Sequence, residues 1–123
     1  MTIADTDVLI DYLAGKGEAD RVERLLRQGA LRTTVITRFE LLSGTKNPKQ
    51  LARLAQLLDA VPSLALDDAA ADAAAEIRRS LERPGSSIGM ADSLIAGIVT
   101  ANRAALLTRN RRHFERVPGI RLA

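Results

Sequence analysis

The feature that most constrains this chain is alternation: short runs of aliphatic and β-branched residues are separated by stretches with helical spacing, from end to end. Residues 1–5 read as a short buried strand. Residues 7–14 follow as a helix, with Val8, Leu9, Tyr12 and Leu13 at helical spacing and Gly15 as a stop. Residues 18–28 place Val22, Leu25 and Leu26 on one helical face, with Gly29 past the end. Residues 31–36 carry β-branched side chains and predict a strand. Thr37 and Glu40 then have the spacing of a capping box at a helix start, and Gly44 ends that helix.

The second half repeats the pattern. Pro48 begins a helix with Leu51, Leu54, Leu57 and Leu58 inward, and residues 61–66 read as a strand weakened by Pro62. Residues 67–83 form a long Ala-rich helix, acidic early and arginine-rich late, stopped by Pro84-Gly85. Residues 89–103 are apolar nearly all round, which predicts a buried helix. Residues 104–108 read as the fourth strand, 111–115 as a helical turn and 120–122 as a last strand. A chain of 123 residues alternating in this way is expected to be one α/β domain, with a parallel sheet of four to five strands covered by helices on both faces.

Four polar side chains interrupt this apolar pattern. Asp5 closes Thr2-Ile3-Ala4, Glu40 lies within residues 35–42, Asp92 precedes Leu94-Ile95-Ala96-Gly97-Ile98-Val99, and Asn110 follows Ala105-Leu106-Leu107-Thr108. A carboxylate at the edge of a core costs several kcal/mol unless it is paired or metal-bound. Each has a local explanation as a cap, a first-turn acid or a turn residue. Asp5 and Asn110 fall at strand ends, however, and Glu40 and Asp92 in expected first helical turns. All four can then face the rim beyond the carboxyl ends of the strands, where such folds place their clefts. Carboxylates gathered there suit Mg²⁺ or Mn²⁺, which prefer hard oxygen ligands.

Composition narrows the chemistry. The chain has no Cys, which excludes disulfides, thiolate zinc sites and Cys nucleophiles, and its one His argues against a multi-His metal site. Aromatic residues are only 2% of the chain, too few for recognition of bases by stacking. No apolar run reaches the ~18–20 residues of a membrane span, and no signal-peptide pattern opens the sequence, so the expected location is the cytoplasm. The net charge is +3 and the cations are mostly Arg. Arg109, Arg111, Arg112 and Arg116 surround Asn110 and are candidates for contact with a phosphate backbone. Asp7 and Asp11 lie one helical turn apart and are expected to face solvent, with Asp7 the better placed to assist the site.

These segments resemble a known family. Ile3-Ala4-Asp5-Thr6-Asp7-Val8-Leu9-Ile10-Asp11-Tyr12-Leu13 is similar to the opening strand and helix of PIN-domain proteins. Ile36-Thr37-Arg38-Phe39-Glu40-Leu41-Leu42-Ser43-Gly44 and Met90-Ala91-Asp92-Ser93-Leu94-Ile95-Ala96-Gly97 resemble their second and third motifs, and residues 106–120 their closing segment. Within the family, the length and wording resemble the VapC toxins of VapBC toxin–antitoxin pairs. The resemblance implies a three-layer α/β/α sandwich and a Mg²⁺- or Mn²⁺-dependent endoribonuclease. It also implies a homodimer and inhibition by a VapB-type antitoxin. It matches Asp5, Glu40 and Asp92 to the three core acids, with Thr6 and Thr108 as supporting hydroxyls. Asn110 stands where the family often has Asp; it offers an oxygen but no charge. His113 matches a position expected to be structural or close to phosphate. Two other readings compete with this one. A phosphoacceptor receiver domain needs a late Lys, and none follows Lys49. The alternative that remains is a catalytically weak or inactive PIN-fold protein that binds nucleic acid or acts as a scaffold.

Overall fold

The computed structural model describes residues 1–83, 85 and 87–123. The elements run β1 (Thr2–Ala4), α1 (Thr6–Leu13), α2 (Ala19–Arg27), β2 (Leu31–Thr34), α3 (Val35–Gly44) and α4 (Pro48–Ala60). They continue β3 (Ser63–Leu64), α5 (Asp68–Ser80), α6 (Met90–Ala101), β4 (Ala105–Leu107), α7 (Arg111–Phe114) and β5 (Arg121–Leu122). The five strands form one sheet in the order β3-β2-β1-β4-β5, and every pairing is parallel. The chain first builds outward from β1 through β2 to β3, then returns to β1's other side with β4 and ends at β5. The strand order therefore reverses between β1 and β4, and a crevice opens at such a switch point.

Alternation along the two central strands divides the core. Ile3 and Leu106 point into one cluster, with Ile77, Leu81, Ile95, Val99 and Phe114. Their neighbours Ala4 and Leu107 point into the other, with Val8, Leu9, Val22, Leu54 and Leu58. Successive strand residues face opposite sides, so α5, α6 and α7 cover one face and α1, α2 and α4 the other. This is the three-layer sandwich expected from the sequence. Helix α3 sits at the seam, touching α1, α4 and α6, with Ile36 against the first cluster and Leu41 in the second. Helices α5 and α6 pack closest of all, because Gly97 has no side chain: a Cβ there would lie 2.5 Å from the Ala70 carbonyl oxygen. Among the described residues, no helix is long and apolar enough to cross a membrane.

Several boundaries differ from expectation. The second strand ends at Thr34 rather than 36, and α3 begins at once with Val35. The helix is capped by Thr34, whose Oγ1 accepts from the Thr37 amide at 3.1 Å. The capping box assigned to Thr37 and Glu40 is therefore displaced by one turn, and Glu40 lies in the middle of the helix rather than its first turn. The strand preference of Val35 and Ile36 gave way to a cap three residues ahead of Thr37. The third strand shrinks to Ser63–Leu64. Pro62 cannot donate, although its carbonyl still accepts from the Thr33 amide at 3.0 Å. Helix α5 is capped by Asp67, whose Oδ1 accepts from the Ala70 amide at 2.9 Å; the stop assigned to Pro84 lies outside the described residues.

Candidate active site

Asp5 leaves the end of β1 and caps α1, so it stands at the mouth of the β1–β4 switch point. It is 8% exposed. Oδ1 accepts from the Thr6 amide at 2.8 Å, and Oδ2 accepts from the Thr108 hydroxyl at 2.8 Å across the crevice. Burial pushes the Asp5 carboxyl above its ordinary pKa. The two hydrogen bonds partly oppose that shift, and the negative charges of Asp92 and Asp7 add to it. Asp92 is therefore close enough to act on Asp5, although 87 residues separate them in the chain.

Glu40 reaches the same rim from α3. Its Oε1 accepts from the Thr6 hydroxyl at 2.7 Å, and the same hydroxyl lies 3.0 Å from Thr37 Oγ1. A hydroxyl has one proton to give and an ionised carboxylate can only accept. The Thr6 proton therefore goes to Glu40, and the buried Thr37 hydroxyl donates into Thr6. Thr6 thus joins Asp5 and Glu40 through one residue. Thr37, assigned by sequence only to a cap, is a further member of the site. Its spacing three residues before Glu40 on a helix could have identified it.

Asp92 enters from the first turn of α6. The His113 Nε2 lies 2.8 Å from Asp92 Oδ2, a close contact, although the nitrogen makes no hydrogen bond among the described residues. Asn110 is exposed, and its side chain caps nothing at the start of α7. Its amide donates to Thr108 Oγ1 at 3.0 Å, so Thr108 links Asn110 to Asp5.

The arginines divide into two groups. Arg109 Nη1 donates to Asp11 Oδ1 at 2.8 Å, and Nη2 lies 3.8 Å from Asp7 Oδ2. Asp11, expected in solvent, is instead 4% exposed, whereas Asp7 is exposed as expected. The correction was legible: Asp11 lies three residues after Val8, on the buried face of α1. Arg111 Nη1 donates to the Ala123 carbonyl at 2.7 Å. Arg112 and Arg116 are exposed and enter no ion pair among the described residues.

The donor set suits a hard divalent cation in atom type and charge. A buried carboxylate whose neighbours are negative gains from a cation between them. The side chains do not converge tightly in this conformation: among the described residues, no group of three or more His, Asp or Glu is arranged to hold a metal ion. Glu40 is turned to Thr6, and Asp92 to His113.

Comparison with known proteins places this geometry in context. The PIN domain profile matches residues 2–120. A tRNA(fMet)-specific endonuclease VapC from Shigella flexneri is 31% identical over 121 residues, covering 95% of this chain and 92% of that protein. Ribonuclease VapC11 of Mycobacterium tuberculosis is 32% identical over 116 residues, covering 89% of this chain and 87% of its own length. Among solved structures, DNA-bound VapBC from Salmonella typhimurium superposes with a TM-score of 0.88 at 31% identity, covering 99% of this chain and 96% of the matched one.

Proposed function

The chain belongs to the PIN domain family, and from that premise we propose that it is an RNA-cleaving hydrolase, the toxin member of a VapBC-type pair. Mg²⁺ or Mn²⁺ would be its cofactor. The observation that carries this reading is the hydrogen-bonded set Asp5, Thr6, Thr108 and Glu40 at the β1–β4 switch point, with Asp92 near enough to raise the Asp5 pKa.

Asp5 and Asp92 would hold the ion, with Glu40 binding directly or through water. A bound divalent ion lowers the pKa of water and offsets charge on phosphoryl oxygens. The side chains of the chain itself do the positioning. Thr108 fixes Asp5 Oδ2 and Thr6 fixes Glu40 Oε1; where Glu40 acts through water, its Oε2 takes the proton of the attacking water. In-line attack forms the new P–O bond and breaks the bond to the 3′ oxygen. The products are a 5′-phosphate and a 3′-hydroxyl, the leaving oxygen taking its proton from solvent. The Asn110 side chain can orient a water or a phosphate oxygen. Arg112 and Arg116, which enter no ion pair among the described residues, are the better placed cations for the RNA backbone.

An apolar groove lined by Ile10, Leu13, Leu41 and Leu54 shares α1 and α3 with the acids. It offers a VapB-type antitoxin a seat from which to cover the rim. The expected assembly is a homodimer, and light scattering on the purified chain should give twice 13.3 kDa.

The decisive experiment incubates purified chain with tRNA, the substrate class named for the Shigella relative. Chelator should silence cleavage and Mg²⁺ or Mn²⁺ restore it. Replacing Asp92 by Asn should reduce cleavage by about a thousandfold or more. Chelator-resistant cleavage would exclude the metal. The non-catalytic alternative draws on the uncharged Asn110; RNA that is bound but never cut under any divalent metal would favour it.

A further inference from the structure

Arg109 lies between Thr108 and Asn110, in the turn that delivers both to the acid rim. The Thr108 hydroxyl bonds at once to Asp5 Oδ2 at 2.8 Å and to the Asn110 amide at 3.0 Å. A shift of this turn therefore displaces Asn110 and the partner of Asp5 together. The turn follows the last residue of β4 and precedes a four-residue helix, so the sheet ladder does not hold it.

Its ends are tied by backbone bonds, from the Asp5 amide to the Leu107 carbonyl at 2.9 Å and from the His113 amide to the Asn110 carbonyl at 3.1 Å, and a side-chain contact holds residue 109 between them. Arg109 reaches back to α1 and places Nη1 2.8 Å from Asp11 Oδ1 and Nη2 3.8 Å from Asp7 Oδ2. The Asp11 side chain is only 5% exposed, and a carboxylate so enclosed is costly unless it is paired. Arg109 is its ion-pair partner among the described residues. The far side of Asp11 is closed by the following loop: the Lys16 amide donates to the Asp11 carbonyl at 2.9 Å. Gly17 packs so near that a Cβ there would come within 2.7 Å of Asp11 Oδ2. The same arginine neutralises two like charges one helical turn apart, which would otherwise destabilise α1. Because Asp5 caps that helix, the clamp ties both ends of the Asp5–Thr108 contact to one rigid element.

We propose that Arg109 is a positioning residue: clamped by Asp11 and Asp7, it fixes the turn between β4 and α7 so that Thr108 and Asn110 stand correctly at the acid rim. This role replaces the phosphate contact expected from sequence. It deepens the nuclease reading and rests on it for the effect on turnover, whereas the clamping of the turn can be measured without any substrate.

The test uses Asp11→Asn and Arg109→Ala, singly and together, in the full chain. Amide exchange followed by NMR should show Asn110 exchanging about tenfold faster in each variant, with the amides of β4 unchanged. With RNA, kcat should fall about tenfold, in line with the cost of misplacing a catalytic group. KM and its salt dependence should stay at wild-type values, and the double variant should be no worse than either single. Asp11→Asn is the sharper arm, because it releases Arg109 to solvent. A phosphate contact would then bind RNA as well or better, and kcat would hold. The proposal is overturned if Asn110 exchange is unchanged. It is also overturned if Arg109→Ala raises KM and flattens the salt dependence, or if the variants lose only thermal stability. Wild-type protein that cuts no RNA would remove the nuclease reading, and the exchange rates alone would then decide whether the clamp exists.

Discussion

Asp5 concentrates the physical cost of the site. It is buried, hydrogen-bonded through both oxygens, and repelled by Asp92 and Asp7. Its folded-state pKa lies above the ordinary 3.8, so the folded chain holds this proton more tightly than the unfolded chain does. That stabilising contribution is complete below the ordinary value and is lost as pH rises through the raised one. In chelator at pH 7, Asp5→Asn should therefore unfold about 4 °C above wild type by scanning calorimetry, with the gap closing toward pH 3. Thr6→Val removes the donor that holds Glu40. It should lower kcat by about tenfold to a hundredfold while circular dichroism reports an intact fold. An unaffected kcat would mean that Glu40 is oriented by something other than the Thr6 hydroxyl.

At the scale of elements, two local features hold the acids in place. Helix α3 starts where Thr34 caps it, and that start decides where Glu40 points. Thr34→Ala should cost about 1 kcal/mol in denaturant unfolding. The close packing of α5 on α6 sets the position of Asp92. A methyl at residue 97 would meet the backbone of α5 at 2.5 Å, so Gly97→Ala should cost about 3 kcal/mol, read as a lower urea midpoint at constant slope. These elements also show what sequence can and cannot reveal. The buried helix α6, the capping role of Asp5 and the Ala-rich α5 were legible because helical period and caps are local signals. The start of α3 was not, since Val35 and Ile36 favour a strand intrinsically and only tertiary packing makes them helical. The charge of Asp11 favours solvent, but its place on the Val8 face of α1 decides its burial.

For the whole molecule, the layered architecture followed from alternation, but the strand order β3-β2-β1-β4-β5 did not. Parallel pairing between distant segments leaves no local mark, and strands of two residues such as β3 and β5 carry almost no periodicity. The switch point between β1 and β4 arises only from that order, and it turns separate polar intrusions into one site. Asp5, Glu40 and Asp92 reach that rim from a strand end, a helix middle and a helix start, and the charge of Asp92 adds to the burial that raises the Asp5 pKa. The most direct test is anomalous X-ray scattering from crystals soaked in Mn²⁺, for wild type and for Asp92→Asn. A peak between the Asp5 and Asp92 carboxylates, lost in the variant, is the expected result. A wild-type crystal with no density there, or a peak that survives the substitution unchanged, would contradict the account.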